Sequence, residues 1–191
     1  MHDALWYLDV MPTEILFISD LQSVLSGPLA IATIVFCARW MIFLFVPLAA
    51  ATSFGSRRAN LRHSAYEAAW SGLLALVVAT VLGVMIGRER PFNTSENVTL
   101  LIPPPASVYS LPSAHTSVAF AIAAALAWGD GLLGIVAFLM AFAVAFGRIA
   151  SGVHYPTDVF AGMFVGVSSF LLIRHMHHIM RSRRKDMRAP S

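Results

Sequence analysis

Apolar positions in this chain come in long blocks, not in alternation. The first runs from position 24 to 54 and is broken only by the Gly27-Pro28 pair and one charge, Arg39. Further blocks cover about residues 64–86, 113–128, 132–148 and 157–174. Each approaches the ~20-residue length at which an α-helix crosses the hydrocarbon core of a bilayer. Within the first block the spacing predicts a span at about 40–55, with 28–38 either a short preceding helix or its continuation. Residues 1–23 mix Trp6, Tyr7, Asp9, Glu14 and Asp20 with Leu16, Phe17 and Leu21. A cleavable leader would have a basic start and then an apolar core, so this stretch reads as an interfacial helix. The pattern therefore predicts an all-α integral membrane protein, a bundle of five to six transmembrane helices with an N-terminal interfacial helix. Residues 1–191 form one membrane domain: interfacial or short helices over 1–38, a transmembrane core over 39–174, and a basic tail over 175–191.

Composition agrees with a lipid-embedded chain: 58% of residues are hydrophobic and 12% charged, with a mean hydropathy of +0.72. Soluble domains carry about a quarter charged residues, so that class is excluded. The sole cysteine, Cys37, rules out an internal disulfide and any multi-cysteine metal or iron–sulfur site. Lys185 is the only lysine among 13 basic residues. Arginine grips phosphate or carboxylate with a two-pronged fork, which hints at an anionic ligand. Charge also orients the chain, because basic residues collect at the cytoplasmic ends of spans. Arg57, Arg58 and Arg62 fall on the same side as Arg181, Arg183, Arg184, Lys185 and Arg188. That side is cytoplasmic, and the loop 87–112 and the segment around 148–156 face outward.

Polar residues that are costly at membrane depth gather at the outward ends. Arg90, Ser113, His115, Arg148, His154 and Asp158 all lie at predicted span ends or just beyond them. From His115 to Asp130 is 15 positions and from Asp130 to Arg148 is 18. At ~1.5 Å per residue these arms are roughly 22 and 27 Å long, which returns His115 and Arg148 to within about a turn of one height. His154 and Asp158, four apart, stack on one helix face. A carboxylate on one ring nitrogen fixes the tautomer and leaves the other nitrogen suited to nucleophilic attack. His115 can then protonate a leaving oxygen, while Arg90, Arg148 and Arg88 clamp a phosphate and hold its developing charge. Ser113 follows Pro112 at a helix start, where its hydroxyl caps the helix and free N–H groups point at an anion. Together these residues describe a phosphoryl-transfer site that needs no metal and no cofactor.

The same residues carry a resemblance. Arg90-Pro91, then Pro112-Ser113-Ala114-His115, then Arg148 with His154 and Asp158, resembles the three-part signature of the type 2 phosphatidic acid phosphatase superfamily across about residues 64–170. Within it, the segments 87–92 and 147–159 are most similar to the BcrC-type undecaprenyl-diphosphatases of bacteria. The resemblance implies an all-helical fold, a phosphohistidine intermediate on His154, His115 as general acid, metal independence, and a polyprenyl or other lipid phosphate as substrate. It also implies a bacterial inner (plasma) membrane location with the site toward the periplasm or exterior. No nucleic-acid partner is expected. Three positions depart from the pattern. Gly83 stands where the first motif usually has a lysine, and Arg88 or Arg39 is the candidate replacement. Ala114 replaces a glycine before the motif histidine, and Gly147 replaces a serine before Arg148.

Two other readings compete. Two histidines and a carboxylate could ligate a metal or haem, although the surrounding arginines would repel a cation. Intramembrane charges could mark a transport path, yet the span interiors offer almost no polar route to the other side. His175, His177 and His178 sit beside the basic tail and read as an interfacial face. Arg39 reads as a snorkelling or interfacial residue.

Overall fold

The computed structural model describes residues 5–54 and 59–186. Arg57, Arg58 and Arg188, used above to orient the chain, lie outside the described residues. Every regular element among the described residues is helical. Helix α1 spans Leu5–Val24 and α2 begins at Pro28 in the first turn, where a missing N–H costs nothing. From Pro28–Val35 the chain runs without a break through a π-helical turn, Phe36–Trp40, a 3₁₀ turn, Met41–Leu44, and α3, Phe45–Phe54. The apolar block that left one or two elements open is thus a single run, and its Pro28–Thr52 portion is long enough to span. The long α4 covers Ala59–Ile86, and a one-turn α5 covers Pro91–Thr94. Helices α6 (Ala114–Gly129), α7 (Gly131–Ala150) and α8 (Pro156–Asp186) complete the chain.

Four of these segments have the length and apolarity to cross a membrane: Pro28–Thr52, Asn60–Ile86, Gly131–Ala150 and Pro156–Arg183. Helix α6 is apolar but shorter, at 16 residues, or roughly 24 Å. It occupies the centre, packed by α4, α7 and α8. Its sequence suits that place, because Ala119, Ala121, Ala123, Ala124 and Ala125 are buried and let neighbouring backbones approach. Gly162 and Gly166 of α8 complete the contact. A Cβ on Gly162 would stand 2.8 Å from the Ser113 carbonyl oxygen. The outer faces are apolar, with Leu132, Ile135, Leu139, Phe142 and Phe146 exposed along α7 at helical spacing. That is the surface a bilayer would cover.

One boundary differs from that read in the sequence. Helix α8 does not stop near 174 but continues to Asp186, because nothing between 175 and 186 breaks a helix. The Asp130 carboxylate accepts the Leu133 N–H at 3.1 Å, so the tight turn at 129–131 is also the N-cap of α7. At the end of the bundle bearing Leu61 and Arg181, Glu67 is buried and takes Arg174 at 3.1 Å. The Arg174 guanidinium lies 3.7 Å over the Trp128 ring, and His177 stands 3.5 Å from Glu67. The three-histidine face therefore belongs to the end opposite Arg90 and His154.

Candidate active site

The segment between α4 and α6 is pinned at its base. Gly87 closes α4 with a positive φ of 70°, a conformation glycine adopts without strain. An isolated bridge then pairs Glu89 with Tyr109, and Ser110 donates its N–H to the Arg88 carbonyl at 2.8 Å. This folds the loop back so that Arg90 faces the start of α6 and the turn between α7 and α8. Arg90 donates from Nε to the Ser107 carbonyl at 3.0 Å and from Nη1 to the Val153 carbonyl at 2.9 Å. The same Nη1 lies 3.2 Å from His154 Nε2.

Arg148 comes from the last turn of α7. Its Nη1 donates to the Ala38 carbonyl at 3.1 Å, and its Nη2 stands 3.5 Å from His154 Nε2. Ala38 lies in the π-helical turn, where the widened backbone frees groups for outside partners. Gly147 makes the approach possible, since a Cβ there would be 2.6 Å from the Ala38 nitrogen. The glycine in place of the usual serine is thus a packing requirement of this chain. After α7 the chain turns at Gly152, whose φ is 78°, and delivers His154 to the junction.

His154 is fully enclosed. Its Nε2 faces two guanidinium groups that carry only donors, so Nε2 is the unprotonated nitrogen and Nδ1 bears the hydrogen. Nδ1 lies 3.4 Å from Asp158 Oδ2, a charge contact looser than a well-formed hydrogen bond. That oxygen also accepts the Tyr155 N–H at 2.8 Å. Burial pushes the His154 pKa down to about 4 against the upward pull of Asp158, with Arg148 and Arg90 adding to the depression. The Arg90 guanidinium is likewise lowered by burial, to about 10, and so stays charged.

These side chains border a cavity of about 250 Å³, lined by Arg90, Ala114, His115, Arg148 and His154 and walled on one side by α4. The first N–H groups of α6 lie at Ala114 and His115, so the cavity also meets a helix N-terminus. From α4 the wall is Leu76, Ala79, Thr80 and Gly83. This i, i+3, i+4, i+7 stripe was visible in the sequence but read there only as part of a span. A Cβ added at Gly83 would make ordinary van der Waals contact, with the Leu111 carbonyl oxygen nearest at 3.7 Å.

Arg90, His115, Arg148 and His154 are therefore brought together, with Asp158 directly behind His154. Two expected phosphate ligands are placed elsewhere. Arg88 does not line the cavity. It ion-pairs with Asp158 and Glu14, each at 2.8 Å, and stacks 3.9 Å over the Tyr155 ring. Ser113 occupies the N-cap position of α6, but its hydroxyl makes no backbone cap and accepts from the Thr116 hydroxyl at 3.0 Å. Arg39 is exposed beside Trp40 and away from the site. Neither candidate for the missing lysine reaches the cavity, which holds two arginines. Among the described residues, no group of three or more His, Cys, Asp or Glu side chains converges as metal ligands would.

Residues 64–181 match the model of the PAP2 superfamily, so the chain belongs to that superfamily. Among curated relatives, it is 40% identical over 105 residues to the bacitracin transport permease protein BcrC of Bacillus licheniformis, covering 53% of this chain and 51% of that one. It is 32% identical over 122 residues to the undecaprenyl-diphosphatase BcrC of Bacillus subtilis, covering 63% and 61% respectively. The aligned part thus spans about half the length of the first of these relatives and somewhat more of the second. In three dimensions it is similar to LpxE of Aquifex aeolicus, with a TM-score of 0.70, 27% identity, and coverage of 84% of this chain and 94% of that one.

Proposed function

We propose that this protein is a membrane lipid phosphatase that hydrolyses undecaprenyl diphosphate to the monophosphate without a metal. The observation that carries the reading is the aim of His154 Nε2, held 3.2 and 3.5 Å from two buried guanidinium groups at the edge of a cavity. An anionic phosphoryl group drawn to Arg90 and Arg148 places its phosphorus against that nitrogen. Nε2 attacks the terminal phosphorus as the bond to the bridging oxygen breaks. The arginines and the α6 N-terminus take up charge on the equatorial oxygens. His115 gives its proton to the departing lipid monophosphate and then accepts one from water. That water cleaves the N–P bond, releasing inorganic phosphate and restoring His154.

The stripe Leu76, Ala79, Thr80 and Gly83 on α4, apolar but for Thr80, supports a polyprenyl tail lying against that helix with its head turned into the cavity. With α6 as a fifth crossing, α1, the 87–112 loop and the site share the outward side, and the tail of α8 is cytoplasmic. Purified protein should release phosphate from undecaprenyl diphosphate faster than from phosphatidylglycerol phosphate, phosphatidic acid or a lipid A phosphate. Orthovanadate should inhibit and EDTA should not. His154→Ala should abolish both turnover and acid-labile labelling by radioactive substrate; turnover near the original rate would remove the nucleophile assignment.

A further inference from the structure

Helix α1 lies outside the segment that matches the superfamily, yet it reaches the site. Glu14, Ile18 and Gln22 form an i, i+4, i+8 stripe facing inward. Ile18 packs on Val98 and Tyr155, and Gln22 bonds to the Thr99 and Ala150 carbonyls at 2.7 and 3.0 Å. Glu14 is the notable member, because a carboxylate 7% exposed is costly to bury unless paired. Its Oε2 accepts from Arg88 Nη2 at 2.8 Å and from the Thr157 hydroxyl at 3.1 Å. Its Oε1 accepts the Thr157 N–H at 2.8 Å, an otherwise unpaired donor of the first turn of α8. Arg88 continues the chain of contacts, with Nη1 at 2.8 Å from Asp158 Oδ1 and 2.6 Å from Thr157 Oγ1. The other Asp158 oxygen faces His154.

We propose that Glu14 is a positioning residue for phosphoryl transfer, acting through Arg88 and Thr157 on Asp158 and so on His154. The charge count explains why it is needed. Arg88 alone against Asp158 sums to zero and leaves little negative potential for the imidazole, which gains positive charge as Nε2 bonds to phosphorus. With Glu14 the triad sums to minus one. The two carboxylates also hold the guanidinium by its two terminal nitrogens, Asp158 on Nη1 and Glu14 on Nη2, which fixes Asp158 beside His154 Nδ1. This inference rests on His154 being the nucleophile.

The test is Glu14→Gln in the full-length protein, which keeps the shape and an acceptor for the Thr157 N–H but removes the charge. Phosphoenzyme formation should slow about tenfold, the range of a lost charged orienting group, with KM held within about twofold. In an Asp158→Asn background the same change should alter the rate by less than about twofold, because the relay is already cut. Arg88→Lys, which cannot bridge both carboxylates, should reproduce the loss. If Glu14→Gln does not yield folded protein, Glu14→Asp serves instead, since its shorter arm cannot meet Arg88 and Thr157 together. An unchanged rate, a loss that multiplies with Asp158→Asn, or a loss confined to KM or to thermal stability overturns the inference. His154→Ala is run in parallel. If it remains active, the nucleophile reading fails; if it is dead while Glu14→Gln is unimpaired, only the role of Glu14 fails.

Discussion

At His154 two influences oppose each other. Burial, Arg148 and Arg90 disfavour a protonated ring while Asp158 favours one, and burial prevails, leaving a pKa of about 4 against an ordinary 6.5. In the proposed mechanism the neutral form attacks, so phosphoenzyme formation should not decline on the acid side until below about pH 5. A rapid-quench profile that falls with a midpoint near pH 6.5 would contradict this. The sign for stability follows from the same shift. The unfolded chain takes up this proton first, so stability contributed here is complete above about pH 6.5 and drains away as pH falls toward 4. Arg148 fills a different need, because its fork serves the Ala38 carbonyl on one prong and the cavity on the other. Arg148→Lys retains charge but only one direction of donation. Its kcat/KM should drop by about a hundredfold or more, roughly 3 kcal/mol of transition-state stabilisation. The nearness of His154 and Asp158 was readable from their spacing, but a shared helix face is not its cause: α8 begins at Pro156, so His154 lies in the turn that precedes the helix and only Asp158 is helical. The place of Arg88 was not readable, because its fate depends on Glu14, 74 positions away, and spacing carries no information about which distant carboxylate a guanidinium will meet.

Among the elements, the π-helical turn is the one no local pattern announced. Phe36–Trp40 is apolar and helix-compatible apart from Arg39, and its irregularity coincides with contacts from Gly147 and Arg148, about 110 positions later. By contrast, the spans were readable because membrane crossing is a property of consecutive residues. Helix α8 was read too short for a related reason: a basic face ends an apolar block but does not end a helix. The contact at Gly147 yields a prediction that runs against the superfamily pattern. Gly147→Ser restores the usual residue but puts a Cβ 2.6 Å from the Ala38 nitrogen and 2.9 Å from Cys37. We expect a loss of about 1–3 kcal/mol from overpacking and a fall in activity, as the displaced turn withdraws the Ala38 carbonyl from Arg148. Thermal unfolding in detergent together with phosphate release measures both. A variant at least as stable and active as the parent would show that the turn moves without cost.

The whole molecule has polarity of ends: Arg90, His115, Arg148 and His154 at one, the Glu67–Arg174 pair at the other. Because Cys37 is the sole cysteine and is buried, topology is open to a direct check. In a Cys37→Ala background, Val108→Cys in the exposed loop should react with a membrane-impermeant maleimide added outside cells, and Ser182→Cys should react only after lysis. The opposite pattern would invert the protein in the bilayer. The siting of the cavity against the outer wall of α4 carries one more consequence. On the proposed reading, a lipid head that enters past α4 stays within the sheet of its neighbours, and catalysis is then governed by two-dimensional encounter. Turnover in mixed micelles should then follow the mole fraction of substrate among the amphiphiles and stay constant when the whole suspension is diluted with buffer.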